Sequence, residues 1–316
     1  MANETLPSRE APPEPPAYRE PGTAGDHGAP LGADVWTGVN YSAPNGYREL
    51  EMEVYVPSSR TAPVAVVVWI HGGAWLFGAR KYPPDYWPSG LVFQSLIDAG
   101  IAVAAIDYRH SREAPFPAQL YDAKAAVRYL RHFAEVFGID AERIGVWGES
   151  AGGHLAALLA LTAGAPEYEG TDGVRGPASS VLAVVDFYGV SNLATMPSLE
   201  ESFPPEWIDE LKRAAGGLPP DPMTIFLANS PIPEAEREAV ASPITHVTSA
   251  APPFLLVHGE ADTVVPFGQS VELRDALAAV GVSAELVAVP GADHVFVGAD
   301  PVPLLGRAVD YFRERL

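Results

Sequence analysis

The chain of 316 residues contains no cysteine. That absence excludes a disulfide framework, a thiol nucleophile and a thiolate-held metal. Basic residues are scarce: 20 Lys and Arg stand against 40 Asp and Glu, for a formal net charge of -20. Phosphate contacts need clustered Lys and Arg, so neither nucleic acid nor an anionic membrane is an expected partner. No apolar run is long enough to span a bilayer. Residues 1–10 lack the basic start and apolar stretch of a secretory leader, which makes the cytoplasm the expected location. No His-Glu-x-x-His or comparable spacing occurs, so neither a catalytic metal nor any cofactor is expected.

What is present is a large apolar fraction, 47% of the chain, enough at this length for one domain with a sizeable core. Residues 1–34 are rich in Pro, Glu, Gly and Ala and poor in large apolar side chains, so a flexible segment is expected there, or an arm packed over the site. Residues 35–316 then form the main domain. From Tyr47 onward strand and helix patterns alternate. Residues 51–56 alternate polar and apolar, as in a half-exposed strand near a sheet edge, and 64–70, 101–106 and 181–185 read as buried strands. A helix is expected over 121–137, ended by Gly138, and a last one over 304–315. Such alternation predicts an α/β fold, a mostly parallel twisted sheet with helices on both faces.

The run Gly148-Glu149-Ser150-Ala151-Gly152-Gly153 places a serine between two glycines, after an apolar strand and before an Ala/Leu-rich helical stretch. A serine hydroxyl is a poor nucleophile at neutral pH, and a sharp strand-to-helix turn lifts it to where a base can reach it. Upstream, the strand at 64–70 ends in His71-Gly72-Gly73-Ala74-Trp75. A glycine loop at that place leaves N–H groups free for a developing oxyanion; Gly73 and Ala74 are the expected donors, with Gly72 shaping the turn and Ala151 adding its own amide. Downstream, two more apolar strands run into polar turns carrying Asp262 and His294. In open α/β sheets sites assemble at the C-terminal ends of strands. His294 would take the proton of Ser150, and Asp262 would hold the imidazole tautomer. Glu260 is the competing acid.

These residues, with Asp107-Tyr108-Arg109, Ala114-Pro115-Phe116-Pro117-Ala118, His258-Gly259-Glu260-Ala261-Asp262 and Gly291-Ala292-Asp293-His294, give the chain a resemblance. It looks like an α/β-hydrolase of the carboxylesterase superfamily, near its hormone-sensitive-lipase-like and bacterial feruloyl-esterase-like branches. The match covers about residues 50–316. Where the hormone-sensitive-lipase branch usually has a third glycine this chain has Ala74, which still carries an N–H. The resemblance implies an α/β-hydrolase fold with a small cap. It also implies a serine carboxylester hydrolase that cleaves small to medium acyl or aromatic esters through an acyl-enzyme, with a small-molecule ester as its partner. A feruloyl or acetyl-xylan esterase, an arylformamidase and, more remotely, a hydrolase-fold binding protein without chemistry are the alternatives.

Two aromatic-rich segments, near 75–93 and near 190–252, are expected to wall the nucleophile as cap or pocket. Trp75, Trp207, Val265 and Val295 are the expected pocket residues. His71 is expected to brace its own loop, His258 to lie beneath the acid turn, Arg109 and Asp122 to form a buried pair, and Asp293 to point away. Glu149 either stabilises the elbow or lines the pocket.

Overall fold

Apolar runs far apart in the sequence become neighbouring strands. The structure is a computed structural model that describes residues 29–202, 205–215 and 221–316. Among the described residues eight strands form one sheet: β1 (Ala33–Ser42), β2 (Leu50–Pro57), β3 (Val64–Ile70), β4 (Ala102–Ile106), β5 (Ile139–Glu149), β6 (Val184–Phe187), β7 (Phe254–Gly259) and β8 (Ala284–Val289). Their order across the sheet is β1-β2-β4-β3-β5-β6-β7-β8. β1 and β2 pair antiparallel, as do β2 and β4, and every other pairing is parallel. The sheet is open, and the fold is that of an α/β-hydrolase.

Parallel strands are covered on both faces, which is why β3 and β4 read as unbroken apolar runs. Alternate residues feed two cores. Val66, Val68 and Ile70 of β3 face one core, and Val67 and Trp69 the other. The first core is completed by α2 (Ala118–His132), α4 (Ala151–Leu161) and α9 (Gly268–Ala279). The second is completed by α1 (Leu91–Asp98) and α10 (Val302–Arg315), where Trp69 packs edge-on to Trp147 with ring centroids 5.5 Å apart.

Several elements differ from the sequence expectation. β1 has no counterpart in it, because an irregularity between Trp36 and Val39 breaks the two-residue period. Of the segment expected to be flexible or arm-like, residues 1–28 lie outside the described residues, and residues 33 and 34 already belong to β1. β2 lies one strand in from the edge but is not half-exposed: Glu53 is 1% exposed, held by Lys81 at 3.0 Å and by Arg80. The helix expected over 121–137 starts at Ala118 and breaks at Phe133 into α2 and α3 (Ala134–Phe137); Gly138 ends it with φ 69°, a left-handed conformation that suits glycine. β6 begins at Val184 rather than 181.

The chain runs from β3 outward to β4, then returns to β5 on the other side of β3. The crevice between β3 and β5 is therefore the point where the winding reverses, the usual place for a site in an open α/β sheet. Both glycine-rich turns of the sequence open there. Between β6 and β7 comes one long excursion of short helices: α5 (Leu199–Ser202), α6 (Pro205–Ala215), α7 (Pro222–Leu227) and α8 (Glu234–Ala241). Among the described residues no helix is long and apolar enough to cross a membrane.

Candidate active site

Ser150 follows β5 directly and caps α4. Its backbone sits at φ 53°, ψ -120°, a region that costs about 1–3 kcal/mol for a residue with a side chain and persists only where neighbours impose it. Here they do: the Ser150 N–H donates to the Phe187 carbonyl at 2.9 Å, and its carbonyl accepts from the His154 N–H at 3.0 Å. The turn is tight enough that a Cβ at Gly148 would overlap the Gly152 carbonyl, and one at Gly152 would overlap the Ile70 carbonyl. Glycine is needed at both for want of space.

His294 and Asp262 arrive from the ends of β8 and β7. His294 Nε2 lies 3.1 Å from Ser150 Oγ, and its Nδ1–H donates to Asp262 Oδ2 at 2.8 Å. A carboxylate at Nδ1 leaves Nε2 free to accept the serine proton. Asp262 is itself fixed: its Oδ1 accepts the N–H groups of Val264 at 2.9 Å and Val265 at 2.8 Å, and His258 Nε2 lies 3.3 Å from Oδ2. Burial would raise this carboxyl's pKa, but the hydrogen bonds and charge of His258 and His294 outweigh it and hold it well below the usual range. Glu260 is exposed, and Asp293 turns away to accept from Thr263. Tyr188, with its own positive φ of 44°, packs edge-on against His294 with ring centroids 4.8 Å apart. Its sequence context, the tail of an apolar strand, gave no sign of this.

The turn after β3 takes positive φ at Gly73, Ala74 and Trp75. Its N–H groups divide by role. Gly72 donates to Glu149, so Gly72 shapes the turn and is not an oxyanion donor. Among the described residues nothing accepts from the N–H of Gly73, Ala74 or Ala151. The Ala151 amide lies at the start of α4, where unpaired N–H groups and the helix dipole favour negative charge. Glu149 is thus a brace under the loop. Burial pushes its carboxyl up to about 6, against the pull of nearby His294 and the Gly72 N–H.

A cavity of about 90 Å³ opens beside Ser150. Trp75 and Val265 line it, with Ala74, Ala151, Val190 and Met223. Val295 does not: its backbone turns at φ 54° and its side chain packs with the second core. The side chain of Trp207 and the whole of Phe203 lie outside the described residues. Of the other aromatics in 75–93, Trp87 and Phe93 are core residues, Trp87 donating to the Val295 carbonyl at 3.0 Å, while Phe77, Tyr82 and Tyr86 are exposed. Trp75 is wall and packing at once. Its ring stacks on Phe226 with centroids 4.5 Å apart, and its Nε1 donates to His154 Nδ1 at 3.1 Å. Burial lowers the pKa of His154 to about 4, so this ring stays neutral while its Nε2 donates to the Ala241 carbonyl. Val190, Pro197, Pro222 and Met223 also form wall, although none is aromatic. Their only signal was their place in the 190–252 excursion.

The remaining polar residues are structural. His71 Nδ1 meets its neighbour's carbonyl at 2.7 Å and its ring stacks on Tyr108. Arg109 and Asp122 make the buried pair, Nη2 to Oδ1 at 2.6 Å. Among the described residues no group of His, Asp and Glu could hold a metal.

Comparison with known proteins is consistent with this layout. Esterase LipC of Mycobacterium tuberculosis is 35% identical over 237 residues, 75% of this chain and 54% of its own. Esterase LipQ of the same organism is 33% identical over 241 residues, 75% of this chain and 51% of its own. The chain spans about half the length of the curated relatives it matches. A solved structure described as a truncated form of a carbohydrate esterase from gut microbiota superposes with a TM-score of 0.71 at 29% identity, covering 96% of this chain and 99% of that one. The BD-FAE family model matches residues 52–277, from β2 through most of α9, and the chain belongs to the BD-FAE family.

Proposed function

We propose that the chain is a serine carboxylester hydrolase that cleaves esters of short acyl groups through an acyl-enzyme on Ser150. The observation that carries the reading is the unbroken path Asp262–His294–Ser150 at the mouth of an apolar cavity, facing N–H groups that nothing else among the described residues uses. Ser150 Oγ attacks the ester carbonyl as His294 takes its proton. Gly73, Ala74 and Ala151 hold the tetrahedral oxyanion. His294 then returns the proton to the leaving alcohol, and water releases the acid by the same steps. Asp262 keeps the imidazole oriented and stabilises its charged form. In this reading Trp75, at the start of the 75–93 segment, and residues of the 190–252 segment serve as the wall, and a small-molecule ester is the partner.

The cavity is small beside the roughly 300–1,000 Å³ of sites for drug-sized ligands, so it suits an acetyl-to-hexanoyl group. Each buried methylene gains about 0.8 kcal/mol only until the space is full. An acetyl ester of a carbohydrate fits the same geometry, and the solved structure described as a carbohydrate esterase favours that narrower reading. Hydrolysis of p-nitrophenyl esters from acetate to palmitate tests the proposal: kcat/KM should peak between about two and six acyl carbons and vanish in Ser150→Ala. Preference for palmitate over butyrate contradicts the short pocket. No turnover of any ester contradicts the reaction.

A further inference from the structure

The cavity beside Ser150 has a larger neighbour that the proposed chemistry does not use. It measures about 350 Å³, and its lining shares Met196, Asp221 and Met223 with the smaller one. Past these residues the larger cavity is bounded by Leu193 and Leu227 and by the carboxylates Glu201 and Glu238.

The partition is made of unlike parts. The backbone of α7 is held firmly: Asp221 accepts the Met223 N–H at 2.8 Å at its start, and Phe226 stacks on Trp75 one turn further on. Met196 ends a short 3₁₀ turn, its N–H donating to the Leu193 carbonyl at 3.2 Å. Of the three residues common to both cavities, Asp221 is committed to capping α7, and the other two are methionines, unbranched thioethers that repack more readily than any branched residue. Two of the chain's four methionines stand at this one boundary.

We propose that Met196 and Met223 form the septum that limits acyl length, and that the 350 Å³ cavity is a latent extension of the acyl subsite, opened when these side chains are shortened. The inference rests on the ester-hydrolase reading above. An extended acyl chain would cross the septum and lie against Leu193 and Leu227, while Glu201 and Glu238 would repel a chain ending in a carboxylate.

The test is the acyl-length profile, from acetate to dodecanoate, of the wild type, Met196→Ala, Met223→Ala and the double variant, with Met223→Leu as a volume-keeping control. The double variant should gain about tenfold in kcat/KM for octanoate relative to butyrate, the return on burying roughly two more methylenes. Met223→Leu, which keeps the volume, should gain much less on octanoate than Met223→Ala. Lengthening the alcohol instead of the acyl group should separate none of the variants. Should the double alanine variant not fold, Met196→Val with Met223→Val carries the same prediction at smaller size. A double variant that hydrolyses butyrate at the wild-type rate with an unchanged profile overturns the septum and leaves the hydrolase reading intact. A wild type inert toward every ester overturns the hydrolase reading, and the septum with it.

Discussion

The two sides of the cavity are built differently. On one side Ser150 and Asp262 stand just past the ends of the buried strands β5 and β7, His294 follows the edge strand β8, and each is tied down by hydrogen bonds of its backbone or carboxylate as well as by its neighbour. On the other side the wall is drawn from short helices and turns between residues 190 and 252, fastened by side chains such as Gln269, which bonds Ser191 and Asn192, and by Phe226 and the cap of α7. The contrast teaches a division of labour. A reaction needs distances fixed to fractions of an ångström, which a sheet supplies; a substrate preference needs only a boundary, which a loop can supply and later change.

The largest expected effect lies on the sheet side. Ser150→Ala or His294→Ala should lower kcat by about 10⁴- to 10⁶-fold with the fold intact by circular dichroism, Asp262→Asn by somewhat less, and Glu260→Gln hardly at all. Activity lost in Glu260→Gln but kept in Asp262→Asn would reassign the acid.

Next comes a substitution that should affect stability without affecting chemistry. Arg109→Ala leaves the buried Asp122 carboxylate without its cation, which typically costs about 3–5 kcal/mol. Urea denaturation should register that loss while kcat per folded molecule stays near wild type. A fall in kcat at unchanged stability would draw Arg109 into the site.

A buried carboxyl at the root of the wall gives a pH signature. Burial raises Asp186 to about 7, although its side chain accepts the Gly189 N–H. A carboxyl whose folded pKa lies above its unfolded value binds more protons folded than unfolded. Its contribution to stability is therefore present below about pH 4 and lost progressively as pH rises to about 7, by up to about 4 kcal/mol. Asp186→Asn keeps the acceptor and removes the titration, so it should flatten this part of the stability profile and be the more stable protein at pH 8. Equal slopes in variant and wild type would show that Asp186 does not titrate in that range.

The smallest effect tests the seam between the two sides. Glu149→Ala removes the brace under Gly72 and should lower kcat by about 10- to 100-fold, as misplacement of a reacting group by about 1 Å can. Glu149→Gln, which can still accept the Gly72 N–H, should recover most of it. An inactive Gln variant beside an active Ala variant would reverse that assignment.

The same contrast governs what could be read in the sequence. The residues that meet at Ser150 were legible because glycine spacing, apolar runs and the order of Asp262 and His294 are local signals at strand ends. The buried Arg109–Asp122 pair was legible too. What could not be read depended on distant parts of the chain. Glu53 looked solvated until Arg80 and Lys81 covered it, Trp87 looked like wall until Trp69 and Phe296 claimed it for the core, and Val295 turned inward with its backbone. Met196 and Met223 carry no motif, and only folding shows that they stand between two cavities.

The chemistry proposed for the site depends on His294 activating Ser150 as the nucleophile. Brief exposure of the folded protein to a fluorophosphonate, followed by peptide mass spectrometry, tests it most directly. One adduct per chain is expected, on Ser150, formed rapidly in the wild type and hardly at all in His294→Ala. No adduct on Ser150 in folded protein, or equal labelling with and without His294, would contradict it.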